Sequence, residues 1–152
     1  MSLDDYKFNV ESAVQIIDEA YELWQEHHNE LVGEHVEFHP DFQKYKQVEQ
    51  NGNLKVYTVR IKKKLIGYAV FTVLPHHHRT QVIQAENTLF FITKEHRKGL
   101  LASKFIRWCE EQLFNSGVSQ ISMRTKVRAS FGILLKRLKY QDEEVVYMKK
   151  KE

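Results

Sequence analysis

Residues 95–105 read EHRKGLLASKF and stand between an apolar run, NTLFFIT, and a helix-like one that continues to ASKFIRWCEEQLFNSG. A turn that leads from a strand into a helix leaves the first helical N–H groups without partners, and the helix dipole adds partial positive charge there. Such a turn attracts anions. Arg97 and Lys98 reinforce the charge, Gly99 permits backbone angles that other residues avoid, and Ala102 and Ser103 are small enough for close approach. The chemistry predicted is the binding of a phosphate or pyrophosphate. A solvated basic loop with a glycine of convenience is the competing reading.

Other elements must position this turn. YKFNV has the pattern of a short edge strand. Val10, Ala13, Val14, Ile17, Ala20, Tyr21, Trp24, His28 and Leu31 then follow helical spacing, and Gly33 ends the helix. Pro40 at a first helical position, with Phe42 and Tyr45 as an apolar face, predicts a second short helix. LKVYTVRI alternates, KKK turns the chain, and LIGYAVFTVL is apolar on both faces as a central strand requires. VIQAENTLFFIT reads as a third long strand, LASKFIRWCEEQLF as a helix, and VSQISMRT as a strand again. RASFGILLKRLKY predicts a last helix and EEVVYMKK a closing strand. The fold class is α/β in the mixed, α+β sense: antiparallel strands first, then a strand–helix–strand unit whose crossover helix covers the sheet.

Length and composition bound the functions open to such a fold. The chain has 152 residues, enough for one domain over residues 1–152 with a real core. Its single cysteine, Cys109, has no partner for an internal disulfide, which suits a reducing compartment. MSLDDYKFNV lacks the layout of a signal peptide, and stretches such as YAVFTVL are too short to span a bilayer. A cytoplasmic protein with no membrane partner is expected. The formal charge of +3, with basic residues scattered beside many acids, argues against nucleic acid as the main partner.

With the turn and the element order together, the chain resembles the GCN5-related N-acetyltransferase superfamily, the acyl-CoA-dependent enzymes called GNATs. In LFFITKEHRKGLLAS, Ile92 matches the strand end of the family signature, Arg97 its Arg/Gln place and Ala102 its final small residue, while Leu100 stands where the first glycine belongs. The resemblance implies a mixed, mostly antiparallel sheet flanked by helices, with a pyrophosphate-binding turn between strand and helix. It implies acetyl-CoA as co-substrate, lying in the splay between the strand that ends at Ile92 and VSQISMRT. The pantetheine would pair with backbone near Phe91 and Ile92, and the pyrophosphate would sit on Arg97, Lys98, Gly99, Leu100, Leu101, Ala102 and Ser103. Leu135 occupies the place of the family's frequent acidic tyrosine, which leaves the general acid unassigned.

Acetyl transfer to an amine needs a base for the amine proton and a donor for the charge that grows on the thioester oxygen. Glu86 precedes Ile92 by six residues, so a regular strand puts both on one face together with Gln84 and Thr88. That spacing resembles the glutamate base of the histone-acetyltransferase branch, and an exposed glutamate is the equal alternative. Plain exposure is also the first reading of His76, His77 and His78, with a proton relay or an acidic acceptor as the other. They lack metal-ligand spacing, as do His27, His28, His35 and His39, so no metal is expected. The expected activity is N-acetyl transfer to a primary amine of a small molecule or protein by direct attack. A catalytically degenerate domain that binds CoA or a partner is the alternative, and a homodimer is compatible with either.

Overall fold

In the computed structural model, residues 2–33, 38–97, 99–127 and 130–151 are described. The alternating segments become β1 (Tyr6–Val10), β2 (Leu54–Ile61), β3 (Lys64–His76), β4 (Arg79–Ile92) and β5 (Gln120–Ser122), side by side in one sheet in chain order. The first four pair antiparallel, and β5 joins β4 in parallel. A parallel neighbour needs a crossover, which α3 (Leu101–Asn115) supplies. The fold is the mixed, mostly antiparallel sheet with flanking helices that the sequence predicts.

Each face of the sheet has its own core. On one side Leu101, Phe105, Cys109 and Leu113 of α3 pack on Tyr57, Val59, Ala85 and Ile92. On the other, Ile16 of α1 (Ala13–Leu31) packs with Val56, Tyr68, Val70 and Phe91, joined by Tyr45 and Val48 of α2 (Phe42–Gln50). Each fully buried Leu or Phe contributes about 1.5–3 kcal/mol by leaving water. At the corner between β1 and α1, Arg60 directs its five N–H donors to Glu11, Glu19 and the Lys63 carbonyl, fixing where α1 begins.

Four details differ from the sequence pattern. Val10 belongs to β1, and α1 starts after Ser12. The side of α1 that meets the sheet carries Ala13, Ile16, Ala20, Leu23 and His27, one residue round from the predicted stripe. The predicted aromatics Tyr21 and Trp24 turn instead to Phe38 and Phe42, so α1 has two apolar stripes serving two neighbours. Pro40 stays outside α2, whose start is capped by the Asp41 carboxylate accepting the Lys44 N–H at 3.0 Å.

The C-terminal elements are shorter than predicted. The last helix, α4, spans Gly132–Arg137, and residues 128–129 of the predicted helix lie outside the described ones. It ends in a Schellman turn: Lys139 takes a left-handed φ of 74° while the Tyr140 N–H bonds the Leu135 carbonyl and the Lys139 N–H that of Lys136. The closing strand predicted over EEVVYMKK does not form, because among the described residues that segment has no ladder partner.

Candidate active site

The β4–β5 ladder is short: Gln84 pairs with Gln120, Ala85 with Ile121 and Glu86 with Ser122, and there it stops. Beyond Glu86, β4 continues for six residues to Ile92, about 20 Å at 3.3 Å per residue, with β3 as its only ladder partner among the described residues. This is the splay expected between the two strands.

A bulge decides which groups face it. Val70 opposes Leu89 but Phe71 opposes Asn87, so Thr88 is an extra residue in β4. Ile83 and Ala85 before the bulge, and Phe90 and Ile92 after it, all face the α3 core. Glu86 therefore lies on the opposite face, the α1–α2 face that also holds Leu89 and Phe91. The expected common face of Glu86 and Ile92 fails, because the extra residue reverses the alternation on which it rests. Asn87, 3% exposed, holds the bulge by donating its amide to the Val70 and Leu89 carbonyls at 3.2 and 2.8 Å. Asn87→Ala is expected to destabilise the protein by about 1–3 kcal/mol, since it removes the two buried hydrogen bonds that hold the bulge. Reversible urea melts, read as a fall in midpoint, check this.

The backbone alternation also selects among the predicted cofactor contacts. The Thr93 N–H bonds the Ile66 carbonyl at 2.9 Å, which makes Phe91 and Tyr68 the next hydrogen-bonded pair of the ladder. The peptide groups of Phe91 thus face β3, while those of Phe90 and Ile92 face the splay. Phe90 was not singled out from sequence, although counting back from Ile92 by strand alternation would have reached it.

At the end of β4 a short 3-10 turn over Lys94–His96 leads to Arg97. Lys98 lies outside the described residues. Gly99 takes φ 74°, and Leu100 follows at φ −99° with its side chain turned to solvent, 67% exposed. The leucine needs no unusual backbone angle, because Gly99 supplies the left-handed step one position earlier. α3 starts without a side-chain cap; Leu101 is buried in the core, and Ala102 and Ser103 complete its first turn. An uncapped helix start after a left-handed glycine is a place where backbone N–H groups can take an anion.

The Arg97 guanidinium has protein partners of its own. It makes a two-pronged contact with the Glu30 carboxylate at 2.6 and 2.7 Å, its Nε donates to the Ile92 carbonyl at 2.6 Å, and its Cζ lies 5.2 Å from the centre of the Phe91 ring. On the other side of this assembly, His27 stacks on Phe91 with centroids 4.8 Å apart, and its Nδ1 lies 2.9 Å from the Tyr68 hydroxyl. Burial lowers the His27 pKa to about 4, so the ring is neutral at neutral pH. The hydrogen bond from Arg97 holds the Glu30 carboxyl below the usual carboxylate range. Two residues of α1, His27 and Glu30, thereby clasp the end of β4 and the turn. Sequence reading passed over Glu30 and gave His27 no role, although His27 is the buried polar residue of the sheet-facing stripe.

The remaining candidates fall into place by distance and burial. Glu86 stands at the last β4–β5 pair with its side chain 39% exposed, accepts from Gln84 Nε2 at 3.2 Å and lies 3.5 Å from Arg124. His76 to His78 form the tip of the β3–β4 hairpin, where His76 stands four residues along β3 from Thr72, the partner of Glu86, about 13 Å along the strand. His35 lies outside the described residues. Tyr140 donates to Glu110 at 2.9 Å, and burial raises its pKa well above the usual tyrosine value. The Cys109 thiol is buried under α3 and likewise raised, so it is no thiolate nucleophile. A groove of about 440 Å³ along α1, bordered by Glu22, Glu26, Glu30 and Lys94, carries mostly negative charge and does not suit a phosphate. Among the described residues, no three His, Cys, Asp or Glu side chains converge as metal ligands do, and no helix is long and apolar enough to cross a membrane.

Splayed strands, an uncapped helix and a left-handed glycine agree with the comparison by sequence. The Acetyltransferase (GNAT) family pattern matches residues 15–130, and the chain belongs to that family. No curated protein matches it by sequence. Solved structures with a similar fold include an aminoglycoside acetyltransferase from an uncultured soil metagenomic sample, at 11% identity and TM-score 0.75 over 97% of each chain. A ribosomal-protein-alanine N-acetyltransferase from Brucella melitensis is similar at 14% identity and TM-score 0.73, over 97% of this chain and 99% of the other. A predicted acetyltransferase with acetyl-CoA from Clostridium acetobutylicum is similar at 11% identity and TM-score 0.66, over 95% and 96%.

Proposed function

We propose that the protein transfers an acetyl group from acetyl-CoA to a primary amine by direct attack. The observation that carries this reading is the alignment of three features along one line. The peptide groups of Phe90 and Ile92 turn into the splay, Gly99 provides the left-handed step, and the uncapped start of α3 follows. The residues fit an extended pantetheine against β4 and a pyrophosphate against the N–H groups of Gly99 to Ser103. Acetyl-CoA supplies the acyl thioester.

What the chain's own residues supply is binding and proton handling. Glu86, at the apex of the splay and on the α1–α2 face, takes the proton of the attacking ammonium directly or through water, because the amine attacks only when neutral. The acceptor approaches from that face. The reaction needs no covalent enzyme intermediate, in keeping with a buried, protonated Cys109. The second reading, a domain that binds CoA without turnover, is favoured by Leu135, which is buried where an acidic tyrosine is frequent.

The test is turnover. The purified chain, incubated with acetyl-CoA and a panel of aminoglycosides, polyamines, amino acids and peptides, is expected to release CoA thiol with at least one amine and to leave an acetyl group on it. Binding without release from any amine would favour the second reading.

A further inference from the structure

On the α1–α2 face the helices pack over Val56, Tyr68, Val70, Leu89 and Phe91, but not over the stretch where β4 meets β5. That stretch carries polar side chains joined end to end. Arg79 Nη2 donates to Gln120 Oε1 at 3.4 Å, Gln120 Nε2 donates to Gln84 Oε1, and Gln84 Nε2 donates to Glu86 Oε1 at 3.2 Å. A guanidinium can only donate and a carboxylate can only accept, so the two ends of the row fix the direction of both amides. From the other side Arg124 Nη2 reaches the same Glu86 oxygen, 3.5 Å away. Glu86 Oε1 is thus held twice, while Oε2 has no hydrogen bond among the described residues.

Arg124 is the second open group of this stretch. Its side chain is 64% exposed, and its one contact among the described residues is the long one to Glu86. An exposed pair at that distance holds neither group firmly. We propose, on the basis of the transfer reading above, that the acceptor is an α-amino acid, with its ammonium on Glu86 Oε2 and its carboxylate on Arg124.

The spacing selects this class. Glu86 and Arg124 stand so close that one molecule can meet both only if its own charges lie a few ångströms apart. In an α-amino acid the nitrogen and the nearer carboxylate oxygen are about 3 Å apart by bond geometry. Polycationic amines meet two arginines here, Arg79 and Arg124, and the acidic groove of α1 lies with Lys94 past the far end of β4. Once Glu86 has taken one ammonium proton, the nitrogen bonds to the acetyl carbon and the carbon–sulfur bond breaks. The second proton leaves with the sulfur as CoA thiol, and the product keeps its carboxylate on Arg124.

The test measures initial rates with acetyl-CoA for the common α-amino acids, and compares the best of them with its carboxamide and its decarboxylated amine. The amino acid is expected to exceed both in kcat/KM by about tenfold or more, the loss expected for one charge-assisted contact, and mainly through KM. Arg124→Gln should bring the ratio close to one, and Arg124→Lys should keep part of it. Equilibrium dialysis of the same labelled amino acids against the chain saturated with CoA reads the site without chemistry. Binding that Arg124→Gln abolishes, with no turnover of any amine, upholds the amino-acid site and removes the transfer reading. Equal or faster turnover of amines that lack a carboxylate overturns the amino-acid site and leaves the transfer reading intact, as does a preference that survives Arg124→Gln. Neither turnover nor binding of any amino acid overturns both.

Discussion

Replacing Glu86 with Gln is expected to lower acetyl transfer by roughly a hundredfold or more at neutral pH, the range for losing a positioned base. The substitution keeps the side chain's shape and its acceptor for Gln84 Nε2, 3.2 Å away, but removes the basicity. Acetyl-CoA affinity should be unaltered, because Glu86 lies on the α1–α2 face whereas Phe90 and Ile92 face the splay with their peptide groups. The deficit should shrink as pH rises, since the free amine then forms without help. Profiles of kcat/KM against pH for both proteins check this. A parallel drop at every pH would assign Glu86 to positioning. Full activity would move the proton to water or to a histidine of the hairpin tip, where His76 stands four residues along β3 from Thr72, the partner of Glu86.

Removing the guanidinium of Arg97 is expected to act on the turn through the clasp. Arg97→Ala loses the two-pronged contact with Glu30, the bond to the Ile92 carbonyl and the contact with the Phe91 ring. Acetyl-CoA binding should weaken by about 1–3 kcal/mol, the range for charge-assisted contacts, and the melting temperature should fall with it. Lysine should not restore either property, as it cannot reproduce the planar fork. Glu30→Gln separates the two roles of the arginine. If Arg97 positions the turn, binding falls again. If its charge acts directly on the ligand, releasing it from Glu30 strengthens binding instead.

Acid should loosen the same clasp. Glu30 is held below the ordinary carboxylate range when folded, so its contribution is fully present above the unfolded value and is lost as pH falls through the lowered folded one. The difference in melting temperature between the native protein and Glu30→Gln should therefore close as pH falls through that window.

Periodicity made most of the scaffold readable. β2, β3 and the crossover helix α3 announce themselves by alternation, by two-sided apolarity and by the Asn115-Ser116-Gly117 ending. The left-handed turn at Gly99 was readable too, because glycine and charge after an apolar strand have a direct physical meaning. The bulge was harder. One extra residue at Thr88 reverses the facing of everything beyond it, and its only local sign is a polar Asn87 in a central strand. That shift puts Glu86 on the face opposite to Ile92. The role of Arg97 was hidden for a different reason: its partner Glu30 is distant in sequence and lies on the polar side of α1. The closing strand was misread because a strand pattern states only that a segment can pair, and among the described residues this one has no ladder partner.

Calorimetric titration of acetyl-CoA into the native protein tests the central claim most directly. One molecule is expected to bind per chain, saturably and in competition with CoA. Gly99→Ala should weaken that binding, because alanine resists the left-handed φ of 74° from which the turn presents its N–H groups. No heat of binding and no competition by CoA at millimolar acetyl-CoA would contradict the assignment of the splay and the turn as an acyl-CoA site.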